Sequence, residues 1–87
     1  MWVRSQDKNL LIKCDNFSIE HYTKTNYTET ETTIKFFSIE TLERATQKLT
    51  ALGDYSTKEK ALRVLDMIQK FIGVNDVFQM PQDDEVK

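Results

Sequence analysis

The chain has very few of the residues that form cross-links, metal sites and phosphate loops. Its 87 residues include two glycines, one proline, one cysteine and one histidine. A lone cysteine excludes an internal disulfide framework and is typical of a reducing cytoplasm. One histidine and one cysteine cannot complete a closed structural zinc site. Two distant glycines cannot form a glycine-rich phosphate loop, so we predict no metal and no cofactor.

Long apolar runs are also missing, as is an excess of positive charge. No run approaches membrane-spanning length, and we expect neither a secretory leader nor a membrane partner. Hydrophobic residues make up 39% and charged residues 30% of the chain, which is typical of a globular domain. The net charge of −2 argues against a strong non-specific binder of nucleic acid. A single domain of marginal core size is predicted.

The strongest local pattern lies in residues 52–73, LGDYSTKEKALRVLDMIQKFIG. Ser56 and Thr57 are both N-cap residue types, and Ser56 and Glu59 have the spacing of a capping box. Apolar residues then recur at helical spacing, and Gly73 stands where a left-handed residue ends a helix. The pattern predicts an amphipathic helix over residues 57–72 whose apolar stripe is buried on a sheet. The stripe consists of Ala61, Leu62, Val64, Leu65, Ile68, Phe71 and Ile72.

Extended structure is indicated before this helix. Alternating or β-branched segments predict strands within 2–6, 10–14, 17–23 and 27–40, and a short last strand follows at 77–80. Residues 39–52 have two interpretations. Their apolar spacing slightly favours a helix that starts after Ser38. The alternative is a turn at 44–47 followed by a strand over 48–55.

These elements predict an α+β fold, an antiparallel β-meander of four to five strands with one amphipathic C-terminal helix packed on it. We place the single domain at residues 1–80 and an acidic flexible tail at 81–87. The predicted core consists of Val3, Leu10, Ile12, Phe17, Ile19, Phe36, Leu49, Leu62, Leu65, Ile68 and Phe71.

Three stretches carry a family resemblance: the opening MWVRSQDKNLL, the central LGDYSTKEKALRVLDMIQ and the closing VFQMPQDDE. They resemble a family of small uncharacterised proteins carried by phages and prophages of low-GC Gram-positive bacteria. Its members begin Met-Trp-hydrophobic-Arg-Ser-Gln, share Leu-Gly-x-Tyr-Ser/Thr before the helix, and end in aromatic-x-Met-Pro. The resemblance implies a strand ending at Tyr55 and a place in the cytoplasm of a bacterial host. It implies no chemistry.

Candidates for catalysis are few. A dyad of Cys14 and His21 is the one nucleophilic arrangement that the residue types allow. It needs close geometry and a third orienting group. A small buried cysteine and a surface histidine are the favoured interpretation. We therefore predict no catalytic residue and no enzymatic activity.

Binding surfaces are the better prediction. Trp2, Arg4 and Gln6 share strand parity and should lie on one face at the chain start. Tryptophan and arginine are enriched at interaction hot spots. Tyr55 adds an aromatic group, so these four residues form the predicted interaction site.

Self-association is expected as well. The threonine-rich segment 28–33 offers a polar edge that a second copy can pair with, although Glu29 and Glu31 are equally suited to guard it. Trp2 and Met67 are large apolar residues at the margins of the predicted core. We predict a homodimer or higher homo-oligomer.

Two functional hypotheses follow. The first is a non-enzymatic phage or prophage accessory protein that binds a protein of the bacterial host, with inhibition of a host defence effector as the role considered. The second is a small nucleotide- or nucleic-acid-binding module that uses Trp2, Arg4 and nearby aromatic residues.

Overall fold

The fold is α+β, as the sequence predicts. The computed structural model describes residues 1–27 and 31–87, with side chains for 1–24 and 35–87. The elements are strands β1 Trp2–Arg4, β2 Leu11–Lys13, β3 Ser18–Tyr27, β4 Glu31–Glu43 and β5 Lys48–Tyr55, helix α1 Lys58–Phe71, strand β6 Val77–Gln79 and a 3₁₀ turn Asp83–Glu85. Within these described residues, no helix combines the length and apolar character needed to cross a membrane.

The described strands number six and form two sheets, so the prediction of one meander with four to five strands is corrected. β3, β4 and β5 form the antiparallel meander. β1 and β2 form a hairpin, and β1 also pairs in parallel with β6 from the other end of the chain. Local patterns identify strands but not the strands they pair with. The pairing of β1 with β6, which is distant in sequence, therefore could not be predicted from them.

Residues 39–43 and 48–52 are extended and a turn joins them, so the helical interpretation was wrong and the hairpin interpretation is confirmed. β4 and β5 are joined by a turn at 44–47, where Gln47 has a φ of 57°. The pairing shifts by one residue at Ile39/Glu40, which places a β-bulge at Leu52. The bulge brings Leu52 to the buried side, so the apolar residues of β5 do not alternate as in a regular strand. The predicted edge at 28–33 lies outside the residues whose side chains are described.

Helix α1 has nearly the predicted bounds but a different cap. Its N-cap is Thr57, whose hydroxyl accepts a hydrogen bond from the Lys60 N–H at 3.2 Å. The predicted capping box of Ser56 and Glu59 was wrong, because the Ser56 hydroxyl donates to the Asp83 carboxylate at 3.0 Å. Gly73 has a φ of 91°, which confirms the left-handed residue after the helix.

The core lies between the two sheets and helix α1. Val3 and Ile68 are buried as predicted, whereas Leu49 and Leu62 are exposed and were wrongly placed in the core. Phe36 is half-buried. The other predicted members, Leu10, Ile12, Phe17, Ile19, Leu65 and Phe71, pack partly buried against the core. Cys14, Ala61 and Val64 are buried as predicted, and the buried residues that the prediction missed are Ile39, Leu52, Tyr55, Phe78, Met80 and Val86.

The segment predicted to be a flexible tail, residues 81–87, packs on the domain. The Tyr55 hydroxyl donates to the Pro81 carbonyl at 2.8 Å. The Gln82 side-chain amide donates to the Gln6 carbonyl at 2.7 Å, and Val86 is buried in the core cluster. These contacts make the segment part of the packed structure around the end of β5.

Candidate interaction surfaces

Two of the predicted site residues, Trp2 and Arg4, lie on the outer face of the β2-β1-β6 sheet. They alternate along β1 with the buried Val3. Leu11 lies opposite Arg4 and Lys13 opposite Trp2, so all four side chains share that face. Trp2 and Leu11 are each 48% exposed. Trp2, Arg4, Leu11 and Lys13 form an apolar and basic surface, which we call the β1 patch.

Arg4 is partly engaged in the turn that follows β1. Its Nη1 donates to the Lys8 carbonyl at 3.2 Å. Its Nε is buried and makes no hydrogen bond with the described part of the chain. The guanidinium therefore lies along the protein surface rather than standing free in solvent.

Gln6 joins the two sheets, and its side-chain amide is used in hydrogen bonds within the protein. Its Nε2 donates to the Asp54 carbonyl and to the Pro81 carbonyl, both at 3.1 Å. Its Oε1 accepts from the Asp54 N–H at 3.0 Å. The side-chain amide thus pairs with the backbone of β5 in the way a neighbouring strand would. Tyr55 is buried, and Gln6 is half-buried with its amide bound to Asp54 and Pro81, so neither side chain joins Trp2 on the β1 patch.

The Cys14 and His21 side chains do not form the dyad considered above. Cys14 is buried beside β2, and its Sγ lies 3.8 Å from the Ile12 carbonyl. His21 is exposed on β3 and stacks on Phe37 with ring centroids 4.6 Å apart. Burial raises the pKa of the Cys14 thiol, which disfavours the reactive thiolate.

A second surface, which the sequence reasoning missed, lies on the β3-β4-β5 sheet. Ile39 and Tyr55 share one face of this sheet and pack with the buried residues of helix α1. Residues of opposite parity point away from the helix. Leu42 and Leu49 are direct cross-strand partners there and are 37% and 53% exposed. We call this surface the open face; it comprises Tyr22, Phe36, Ser38, Glu40, Leu42 and Leu49.

The centre of the open face holds a buried carboxylate. The Tyr22 hydroxyl donates to Glu40 Oε1 at 2.7 Å, and this bond raises the pKa of Tyr22. Tyr22 lies opposite Phe36 in the register, so its side chain must extend over Ser38 to reach Glu40. Glu40 is 6% exposed and Ser38 1%. Glu40 Oε2 and Ser38 Oγ have no hydrogen-bond partner among the described residues.

An open cleft of about 470 Å³ separates the end of β2 from the β4–β5 turn. Arg44 and Asp15 form an ion pair of 3.3 Å at its rim. Glu43, which lines the cleft, accepts a hydrogen bond at Oε1 from the Thr50 hydroxyl at 2.5 Å. Because these charged groups already have partners, the cleft offers few groups to a ligand. Over the described part of the chain, no three His, Cys, Asp or Glu side chains are placed to hold a metal ion.

The chain matches no family model, no curated protein and no solved structure. The β1 patch and the open face are therefore the features that bear on function.

Proposed function

We propose that this protein is a non-enzymatic accessory protein that acts by binding another protein through the open face. The observation that carries the proposal is the cross-strand pair Leu42 and Leu49, exposed together on a sheet face that the helix leaves uncovered. Contiguous apolar side chains of this size on a surface mark interaction sites. Leu42 lies on the central strand β4, which pairs with β3 and β5, and Leu49 is held opposite it by the β4–β5 pairing, which gives a partner a preorganised surface.

The negative charges on and around the open face favour a protein partner with a basic surface. Glu20 and Asp54 lie on either side of Ser38 in the register, and Glu40 follows one step along β4. Three carboxylates near an apolar patch complement lysine and arginine side chains. The net charge of −2 also favours a basic partner.

The biological setting is a further part of the proposal and depends on the resemblance to phage and prophage proteins. The protein would act in the cytoplasm of a bacterial host on a host protein. Binding without chemistry suits an inhibitor that covers a functional surface, and a host defence effector is the target we propose.

A small nucleotide or nucleic acid is the second candidate ligand. The β1 patch favours it, because the exposed Trp2 indole lies beside the cationic side chains of Arg4 and Lys13. An aromatic ring that stacks on a base, with cations nearby for phosphate, is the usual arrangement for such ligands.

Site-specific cross-linking separates the two candidates. A photoreactive amino acid replaces Leu49 on the open face, and in a control protein it replaces Ile72, which is exposed just after helix α1. We expect one host-lysate protein to cross-link at position 49 and not at 72. A melting-temperature shift with one member of a nucleotide panel, abolished in Trp2→Ala and without any cross-linked protein, would contradict the proposal.

A further inference from the structure

We propose that the partner bound by the open face inserts an arginine or lysine side chain against Glu40, from a segment in which apolar residues flank that basic residue. The inference rests on the proposed protein-binding function and specifies the chemistry of the partner. It is carried by the burial of Glu40, by the charges around it and by the apolar residues at both ends of the face.

The burial of Glu40 comes first. A carboxylate that is only 6% exposed is costly unless each oxygen has a partner. Tyr22 donates to Oε1, but Oε2 has no partner in the described part of the chain, and neither does the neighbouring Ser38 Oγ. An arginine or lysine N–H would supply the missing donor to Oε2 and a second donor to the serine oxygen.

The surrounding charges select a cation. Glu20 and Asp54 occupy the row of the sheet that contains Ser38, so the negative charge of Glu40 is reinforced rather than neutralised. Among the described side chains on this side of the sheet there is one lysine, Lys24. It lies two residues after Tyr22 on β3 and so further from Glu40. Glu40 itself therefore has no cationic neighbour within the described part of the face, and the local potential favours a positive group.

The apolar residues define how such a group would enter. Leu42 and Leu49 lie at one end of the face, and Tyr22 and Phe36 stack at the other with ring centroids 5.5 Å apart. The methylene stem of an arginine or lysine packs on leucine, and its charged end is stabilised over a tyrosine ring. Tyr22 is 40% exposed and its hydroxyl is bound to Glu40 Oε1, so its ring forms one side of the binding site.

The test is a selection from a random peptide display library against the full chain. Enriched peptides are then measured by calorimetry against the parent and against Glu40→Gln, Leu49→Asp and Glu59→Gln. Glu59→Gln is the matched control, since it removes one carboxylate charge from an exposed position on helix α1. Thermal melting of each variant confirms that it is folded.

We expect the enriched peptides to share a lysine or arginine with apolar neighbours. Glu40→Gln should weaken their binding at least tenfold, and Glu59→Gln should leave it within twofold. Peptides that lose binding with Leu49→Asp but lack a basic residue, or bind Glu40→Gln as tightly as the parent, would overturn this inference while the protein-binding function stands. No enrichment, or binding unaffected by Leu49→Asp, would overturn both.

Discussion

Truncating Ile68 tests whether helix α1 docks on the β3-β4-β5 sheet through the residues described. Ile68 is 1% exposed and belongs to the core cluster with Ile39 and Val64. Each buried methyl or methylene group contributes about 0.8 kcal/mol, and the cavity left behind adds to the loss. Ile68→Ala should therefore lower the free energy of unfolding by about 3 kcal/mol. In a domain of this size, that corresponds to a fall in melting temperature of roughly 12–24 °C.

Leu62 on the same helix is the matched control. It is 44% exposed, although the apolar stripe placed it in the core. Leu62→Ala should cost about 1 kcal/mol or less, because much of the side chain is already in water. Urea unfolding followed by circular dichroism measures both variants. Equal losses for Ile68→Ala and Leu62→Ala, or a loss below about 1 kcal/mol for Ile68→Ala, would refute the docking geometry.

Three further predictions concern the last segment, pH and assembly. Hydrogen bonds from the Ser56 N–H and hydroxyl lower the pKa of Asp83, so its stabilisation is present above about pH 4 and is lost as the pH falls below it. Asp83→Asn should cost about 1 kcal/mol at pH 7 in urea unfolding, whereas the exposed Asp84→Asn should cost nothing measurable. Burial raises the pKa of Tyr55, so the contribution of its neutral hydroxyl is complete below about pH 10 and is lost as the pH rises above it. The fall in urea midpoint between pH 8 and pH 11 should therefore be smaller in Tyr55→Phe than in the parent. Light scattering should give a mass above 10.2 kDa that rises with concentration and falls in Trp2→Ala, whereas a constant monomer mass would contradict the predicted homo-oligomer.

The helix was the part most readily predicted, because its signals are local. The predicted stripe includes the three buried residues Ala61, Val64 and Ile68, although two other members, Leu62 and Ile72, are exposed, and Gly73 marked the end. The capping box of Ser56 and Glu59 did not form because Ser56 is bound by Asp83, which lies 27 residues further along the chain. No local pattern contains that information.

The sheet arrangement was harder to predict for the same reason. β1 pairs with β6 through a separation of more than 70 residues, and Gln6 bonds to Asp54 and Pro81. The bulge at Leu52 also changed which side of β5 faces the helix. Leu49 was therefore predicted to be buried and lies instead on the open face.

Only two of the four residues in the predicted interaction site share a surface, for a related reason. Strand parity correctly placed Trp2 and Arg4 on one face. Parity does not show that a side chain is bound internally, as Gln6 is, or buried, as Tyr55 is. One feature of the sequence could have indicated the open face. A hairpin with a turn at 44–47 places Leu42 opposite Leu49, but the helical interpretation of the same residues was slightly favoured.

The central claim is that the open face is the surface that binds a protein partner. Methyl NMR spectra of the chain, with and without the partner recovered by cross-linking, test it most directly. We predict that the Leu42 and Leu49 methyl signals shift on binding, whereas those of the buried Val64 and Ile68 do not. Shifts confined to Leu11 on the β1 patch, with Leu42 and Leu49 unchanged, would contradict the account.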